Sequence, residues 1–391
     1  MKKMTAIVAL MAVFTLAICF IILGSISVEL MEALNIDAGQ FGTLVMGLFL
    51  TSCIVQLIIG PLIDKFGYKP VAILGFTVTA ISLFILAFAS SFMIALFACI
   101  LLGVGAMSLN TVGNTLIPVV LFEGKDPARA SNLGNGFFGL GYVITPLLII
   151  FILKTLNLGY STALIILGIL SIIFLAFALT TSYPKVPIGF KFSMALKVLF
   201  KPAVLIAALA LFCYMSLETS MATWIKKLME ELFTGNANVN ATTKAGLVLS
   251  LFGVAMMAGR FLTASIKNLT SLGNKVIIFA SALALISICL MIFAKSPVVG
   301  IIAVILAGLA FAPIFPTIVG LTFAKFDSSL YGSIFGIIFA VGLLGGTFVP
   351  KFIGNISVGS TVQQSLPIAA VLAAILLAIS FFLGKIGKPK A

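Results

Sequence analysis

The sequence predicts an all-α membrane protein whose twelve transmembrane helices fall into two six-helix bundles. Three observations predict it. Of 391 residues, 62% are hydrophobic and 8% charged, against roughly a quarter charged in an ordinary soluble domain. Apolar stretches recur along the whole chain, each close to the ~20 residues that cross a bilayer core of about 30 Å. Near the middle they are interrupted by a long polar stretch, 181–202, that holds Pro184, Pro187, Pro202 and four lysines.

Taken in order, the apolar segments run 5–33, 39–64, 70–90, 92–122, 127–154, 158–181, 202–229, 243–266, 273–294, 297–325, 329–355 and 363–385. The first is too long for a signal peptide and lacks a clear cleavage site, so it reads as a transmembrane helix. The polar stretch then divides an N-terminal bundle, 1–181, from a C-terminal bundle, 202–391, with a linker at 182–201. The formal charge of +13 is topological. With both termini cytoplasmic, six basic residues face outward: Lys154, Lys226, Lys227, Lys244, Lys295 and Lys351. Arg260 lies within a helix, and the other sixteen of the 23 Lys and Arg face the cytoplasm. That bias sets the orientation and argues against nucleic acid as a partner.

Five cysteines, Cys19, Cys53, Cys99, Cys213 and Cys289, all fall in apolar segments without paired spacing. They read as small packing residues, forming neither disulfides nor a metal site. Histidine is absent, which removes imidazole catalysis and imidazole proton relays. No glycine loop precedes a Lys-Ser/Thr pair, so direct ATP drive is not expected.

Between the second and third segments stands Gly60-Pro61-Leu62-Ile63-Asp64-Lys65-Phe66-Gly67-Tyr68-Lys69. Gly60 and Gly67 permit close approach and a tight turn, while Asp64, Lys65 and Lys69 would sit at the membrane–water interface. This run resembles the loop between helices two and three of the major facilitator superfamily of secondary transporters, and the six-plus-six organisation extends the resemblance over the whole chain. The resemblance implies two pseudo-symmetric bundles related as parallel repeats. Faint echoes fit: Gly60-Pro61-Leu62-Ile63 against Gly259-Arg260-Phe261-Leu262, and Gly139-Leu140-Gly141 with Pro146 against Leu344-Gly345-Gly346 with Pro350. It further implies that Asp64 meets the start of helix eleven, near 331–333, as a gate, with Gly60, Gly67, Lys69 and Arg260 in the gating set.

Three carboxylates stand apart from the solvated loops: Glu29, Glu32 and Glu218. Glu32 is at the outer end of helix one and reads as solvated, as do Asp37, Glu123, Asp126, Glu230, Glu231 and Asp327. A charge held in hydrocarbon costs roughly 2.5–3.5 kcal/mol and so faces a cavity or a partner. A carboxylate in an apolar cavity can load and release a proton near neutral pH, which makes Glu218, and with it Glu29, the proton-coupling candidates. Both lie on helices that line the central cavity in the superfamily.

Amides form the second group. Asn110 and Asn114 are i and i+4 on helix four, and Asn132 and Asn135 are i and i+3 on helix five, so each pair shares a face. Amides both donate and accept, which suits sugar hydroxyls; they serve equally as interhelical hydrogen bonds. Gln56, Thr317 and Trp224, the one tryptophan, join them as candidate solute contacts.

Ser108 to Asn114, Asn132 to Gly141, Glu218 to Trp224 and Phe315-Pro316-Thr317 together resemble the fucose–galactose–glucose:proton symporter family. The family's acidic residue in helix four is Asn110 here, so coupling is expected at Glu218 or Glu29. The resemblance implies proton-coupled uptake of a small neutral solute, a monosaccharide, across a cytoplasmic (inner) membrane. Transport driven by the proton gradient, with no cofactor and no enzymatic activity, is expected, and because each chain holds a complete pathway, a monomer in lipid. The rival reading is proton-coupled efflux of a drug or an organic anion; for the anion, Arg260 would supply the buried cation.

Overall fold

The computed structural model describes residues 2–36, 38–184, 197–233, 241–357 and 360–384. Most of the expected linker, 185–196, lies outside them, as does Asp37. Among the described residues there is no strand, and twelve helices are long and apolar enough to cross a membrane. They are α1 (Lys3–Ser25), α2 (Thr43–Phe66), α3 (Tyr68–Ala87), α4 (Phe92–Gly124), α5 (Pro127–Leu153), α6 (Tyr160–Thr180), α7 (Pro202–Phe233), α8 (Lys244–Ala264), α9 (Leu269–Phe293), α10 (Pro297–Phe323), α11 (Ser328–Ser357) and α12 (Val362–Leu383). In hydrocarbon no water is available to backbone N–H and C=O groups, so each crossing must satisfy its own hydrogen bonds.

The helix expected over 5–33 is broken. Ile26 leaves helical geometry at φ −117, ψ 15, and a separate short helix, Ser27–Leu34, follows. That short helix ends at Asn35, whose left-handed backbone (φ 49, ψ 49) returns its N–H to Glu32 O and Met31 O, a common way to close a helix C-terminus. α10 is also interrupted. Its first part ends at Phe311 and helix resumes at Ile314, because Pro313 and Pro316 supply no N–H and crowd the preceding turn. Helix starts carry short hydroxyl caps: Ser91 accepts from Ile94 N at 3.4 Å, Ser296 from Val299 N at 3.4 Å, and Thr361 from Gln364 N at 3.2 Å. Lys325, between α10 and α11, donates to Leu383 O at 2.5 Å, placing a cation at the C-terminal end of α12. Burial holds its ammonium below the ordinary lysine pKa.

The chain forms two compact units. The first gathers Met1–Gly124, Phe137–Leu196 and Ser328–Gly336; the second gathers Lys125–Gly136, Lys197–Asp327 and Ile337–Ala391. In the first unit α4 packs on α1, α2 and α3, and α6 on α1 and α3. In the second unit α10 packs on α7, α8 and α9, and α12 on α7 and α9. These are the same five pairings, six helices further on. Glycine allows the tightest of them: a Cβ at Gly103 would lie 2.6 Å from Leu48 O, and one at Gly308 would lie 2.7 Å from Phe252 O. The two units therefore repeat not only a helix order but also a backbone-to-backbone approach of α4 on α2 and of α10 on α8.

Candidate functional site

In the first unit α2 and α4 bring three of the candidate amides into one chain of hydrogen bonds. Asn114 Nδ2 donates to Asn110 Oδ1 at 2.8 Å and to Asn110 O at 3.0 Å. Asn110 Nδ2 donates to Gln56 Oε1 at 3.0 Å, and Gln56 Nε2 donates to Thr111 Oγ1 at 3.2 Å. All are buried. The i, i+4 spacing sets Asn110 and Asn114 one above the other, and Gln56 completes the chain from α2. Asn110→Leu is expected to leave buried donors and acceptors unsatisfied and to cost about 1–3 kcal/mol, read as a lower melting temperature of the purified protein. Glu29, half-buried, stands in the first turn of the helix Ser27–Leu34 in the same unit.

In the second unit α7 and α8 bring two charges together. Arg260 Nη2 lies 3.3 Å from Glu218 Oε1, with the guanidinium side chain 5% exposed and the carboxylate side chain 27% exposed. The same Nη2 lies 3.5 Å from Tyr214 Oη, and Nη1 donates to Asn135 O at 3.4 Å. Tyr214 is one helical turn before Glu218, so both side chains reach Arg260 from one face of α7. Around them the dielectric is low: the Tyr214 ring lies 6.1 Å from Phe315, stacked, and 6.2 Å from Phe311, and Phe315 lies 5.9 Å from Phe339. Sequence reasoning did not single out Tyr214, although its i−4 position to Glu218 was visible. It also assigned Arg260 to gating without a carboxylate partner.

Asn132 and Asn135, also in the second unit, go separate ways. Asn132, fully buried, donates from Nδ2 to Ala128 O and to Thr317 Oγ1, each at 2.9 Å, which ties α5 to α10. Asn135 Nδ2 donates to Ser131 O at 3.0 Å, and its carbonyl serves Arg260. Trp224 stands six residues beyond Glu218. Its Nε1 donates to Pro350 O at 3.0 Å, its ring fills the space left by Gly354, and it lines a pocket of about 330 Å³ with Thr223, Lys227 and Glu230.

Asp64 is buried at the end of α2. It accepts from Gly332 N at 2.9 Å, from Ser333 N at 2.7 Å and from Ser333 Oγ. Gly60, one turn earlier, brings the α2 backbone against Gly332. Gly67 makes the following turn at φ 85, a conformation that glycine adopts without strain, and Lys69 is exposed. Asp126 corrects an expectation. It is not solvated but 7% exposed, accepting from Leu269 N at 2.8 Å, Thr270 N at 2.9 Å, Thr270 Oγ1 at 2.6 Å and Arg129 N at 3.3 Å. Glu231 is half-buried and caps the start of α12, accepting from Val362 N at 2.9 Å.

Twelve membrane-crossing helices in two repeated units, with charges and amides held inside them, are the architecture of a multi-pass membrane transporter. The sequence profile of the Major Facilitator Superfamily matches residues 8–350, and the chain belongs to that superfamily. It is a transporter and not an enzyme. The chain is 25% identical over 329 residues to a putative glucose/galactose transporter of Helicobacter pylori (strain ATCC 700392 / 26695), covering 79% of this chain and 78% of that one. It is 31% identical over 103 residues to the vesicular acetylcholine transporter of Drosophila melanogaster, a match that spans 25% of this chain and only 18% of that protein. Among solved structures it resembles the major facilitator transporter FucP in the outward conformation (TM-score 0.80, 18% identity, 97% of this chain and 98% of that one). It also resembles a variant of the E. coli fucose:proton symporter FucP (TM-score 0.78, 20% identity, 97% and 98%). At these identities the structural likeness is one of fold.

Proposed function

We propose that the chain imports a small neutral solute, a monosaccharide, together with a proton, by alternating access across a cytoplasmic membrane with both termini cytoplasmic. The observation that carries this reading is the Glu218–Arg260 pair beside Tyr214. Its two members are unequally shielded, and the carboxylate is the one that can meet a proton. Protonation of Glu218 neutralises the carboxylate and breaks the ion pair, leaving the still-cationic Arg260 guanidinium, with the Tyr214 hydroxyl beside it, as donors for the oxygens of a polyhydroxylated solute. Proton loading and solute binding then favour one another, which is the requirement for symport. Within the first unit the amide chain of Gln56, Asn110 and Asn114 offers hydroxyl-matching donors and acceptors; within the second, Asn132, Asn135, Thr317 and Trp224 are the proposed solute contacts. Similarity to a putative glucose/galactose transporter and to a fucose:proton symporter supports the same solute class. Glu29 is the second proton candidate, and the protein acts as a monomer in lipid.

The test is purified protein in liposomes that enclose a pH dye, challenged with hexoses, pentoses and organic anions. Acidification on addition of one sugar is the expected result. Silence to every sugar with a response to an anion would overturn the solute class.

A further inference from the structure

α9 begins without a cap of its own. Asn268, which precedes it, has a left-handed backbone (φ 55, ψ 37) and makes no side-chain cap bond. The first N–H groups of a helix need acceptors, and those of Leu269 and Thr270 find theirs in Asp126, a residue 143 positions earlier in the chain. Asp126 also accepts from Arg129 N, so one carboxylate caps both α5 and α9. The stitching continues along the start of α5. Ala128 N donates to Thr270 Oγ1 at 3.1 Å, and Arg129 Nε donates to Ala264 O at 2.8 Å, at the end of α8. A Cβ at Gly320 would lie 2.3 Å from Ala128 Cα, so there α5 and α10 meet backbone to backbone.

Asp64 makes the same kind of clasp in the first unit: one carboxylate on two consecutive N–H groups and on the hydroxyl of the second residue, Gly332 and Ser333 there, Leu269 and Thr270 here. The helices concerned are alike in a further respect. α5 has its first residues, to Gly136, in the second unit and the remainder in the first, whereas α11 has its residues to Gly336 in the first unit and the remainder in the second. We propose that Asp126 is a second closure latch, holding the start of α5 to α8, α9 and α10 in one conformation and releasing it in the other. The proposal rests on the alternating-access reading but not on the identity of the solute or on proton coupling.

The chemistry suits a joint that parts. A carboxylate, N–H groups and a hydroxyl all find water once exposed, so opening leaves no buried polar group stranded. At Ala128 and Gly320 there is almost no side chain to disengage.

Ser131 offers a reporter. It is 3% exposed, its hydroxyl makes no hydrogen bond among the described residues, and cysteine is nearly isosteric with it. The experiment uses the full chain with its five cysteines replaced by alanine and Ser131→Cys added. A membrane-impermeant maleimide is applied in vesicles from the side proposed to be cytoplasmic. Asp126→Asn is expected to raise the alkylation rate at least about tenfold, since a neutral amide makes weaker hydrogen bonds than a carboxylate. Thr270→Val is expected to raise it by a smaller factor, and Thr270→Ser, which keeps the hydroxyl, to leave it unchanged. An unchanged rate in both Asp126→Asn and Thr270→Val overturns the latch. So does a rise confined to Asp126→Asn with loss of a monodisperse elution peak, which would mark unfolding. Because no sugar or proton flux is read, failure of the symport reading would leave this result interpretable.

Discussion

Glu218→Gln is expected to abolish accumulation of sugar while leaving exchange of sugar across the membrane intact. Glutamine keeps an oxygen that can accept from Arg260 but gives up the site that takes a proton. A proton entering with the solute contributes about 2.3 kcal/mol per 100 mV of membrane potential, on the order of a fiftyfold concentration ratio, and without it the ratio falls to one. Counterflow needs no net proton movement and continues. Concentrative uptake and counterflow, measured side by side with labelled sugar, separate loss of coupling from loss of folding. Accumulation persisting in Glu218→Gln would place the proton elsewhere, with Glu29 next in line. Glu218→Ala should behave differently, leaving Arg260 buried without its carboxylate. Breaking a buried pair costs several kcal/mol, and for a carboxylate still 27% exposed the lower end, about 3 kcal/mol, applies. Its first symptom is a lower melting temperature.

Gly60→Ala is expected to cut uptake by at least about tenfold, a factor that corresponds to about 1.4 kcal/mol. A Cβ there would lie 2.3 Å from Gly332 O and 2.8 Å from Gly332 C. Both atoms are backbone, so no side chain can swing aside. The end of α2 and the start of α11 must separate, which draws the N–H groups of Gly332 and Ser333 away from Asp64. Overpacking costs about 1–3 kcal/mol, and the weakened clasp adds to it. Gly332→Ala meets the reciprocal obstacle, Gly60 O at 2.3 Å, and should fail alike. Gly24→Ala, where no described atom lies within 4 Å, is the control and should transport normally. Uptake near the wild-type rate in Gly60→Ala would show that transport does not require this close approach.

Some of the site could be read in advance and some could not. The run from Gly60 to Lys69 announces a turn, and the resemblance it carries points Asp64 at residues 331–333, where its hydrogen bonds are found. Glu218 and Arg260 each stand out as costly charges in an apolar stretch, yet nothing in either stretch joins them, because they lie 42 residues apart on different helices. Asp126 misleads for an instructive reason. Asp-Pro-Ala-Arg reads as an ordinary helix start in water, and its burial depends on α9 beginning with uncapped N–H groups far along the chain. The spacing of Asn132 and Asn135 put them on one face correctly, but one is engaged by Thr317 of α10 and the other, through its carbonyl, by Arg260 of α8.

What the chain alone settles is therefore its class: twelve apolar crossings, two repeats of six and the places where charge is confined. In hydrocarbon a segment must hydrogen-bond to itself, so the existence of each helix is a local property of about twenty consecutive residues. Which carboxylate meets which donor is not local. It follows from which helices lie side by side, the sum of many weak packing contacts and a few glycine approaches, and only the folded structure reveals that Glu218 faces Arg260 and that Asp126 closes the start of α9.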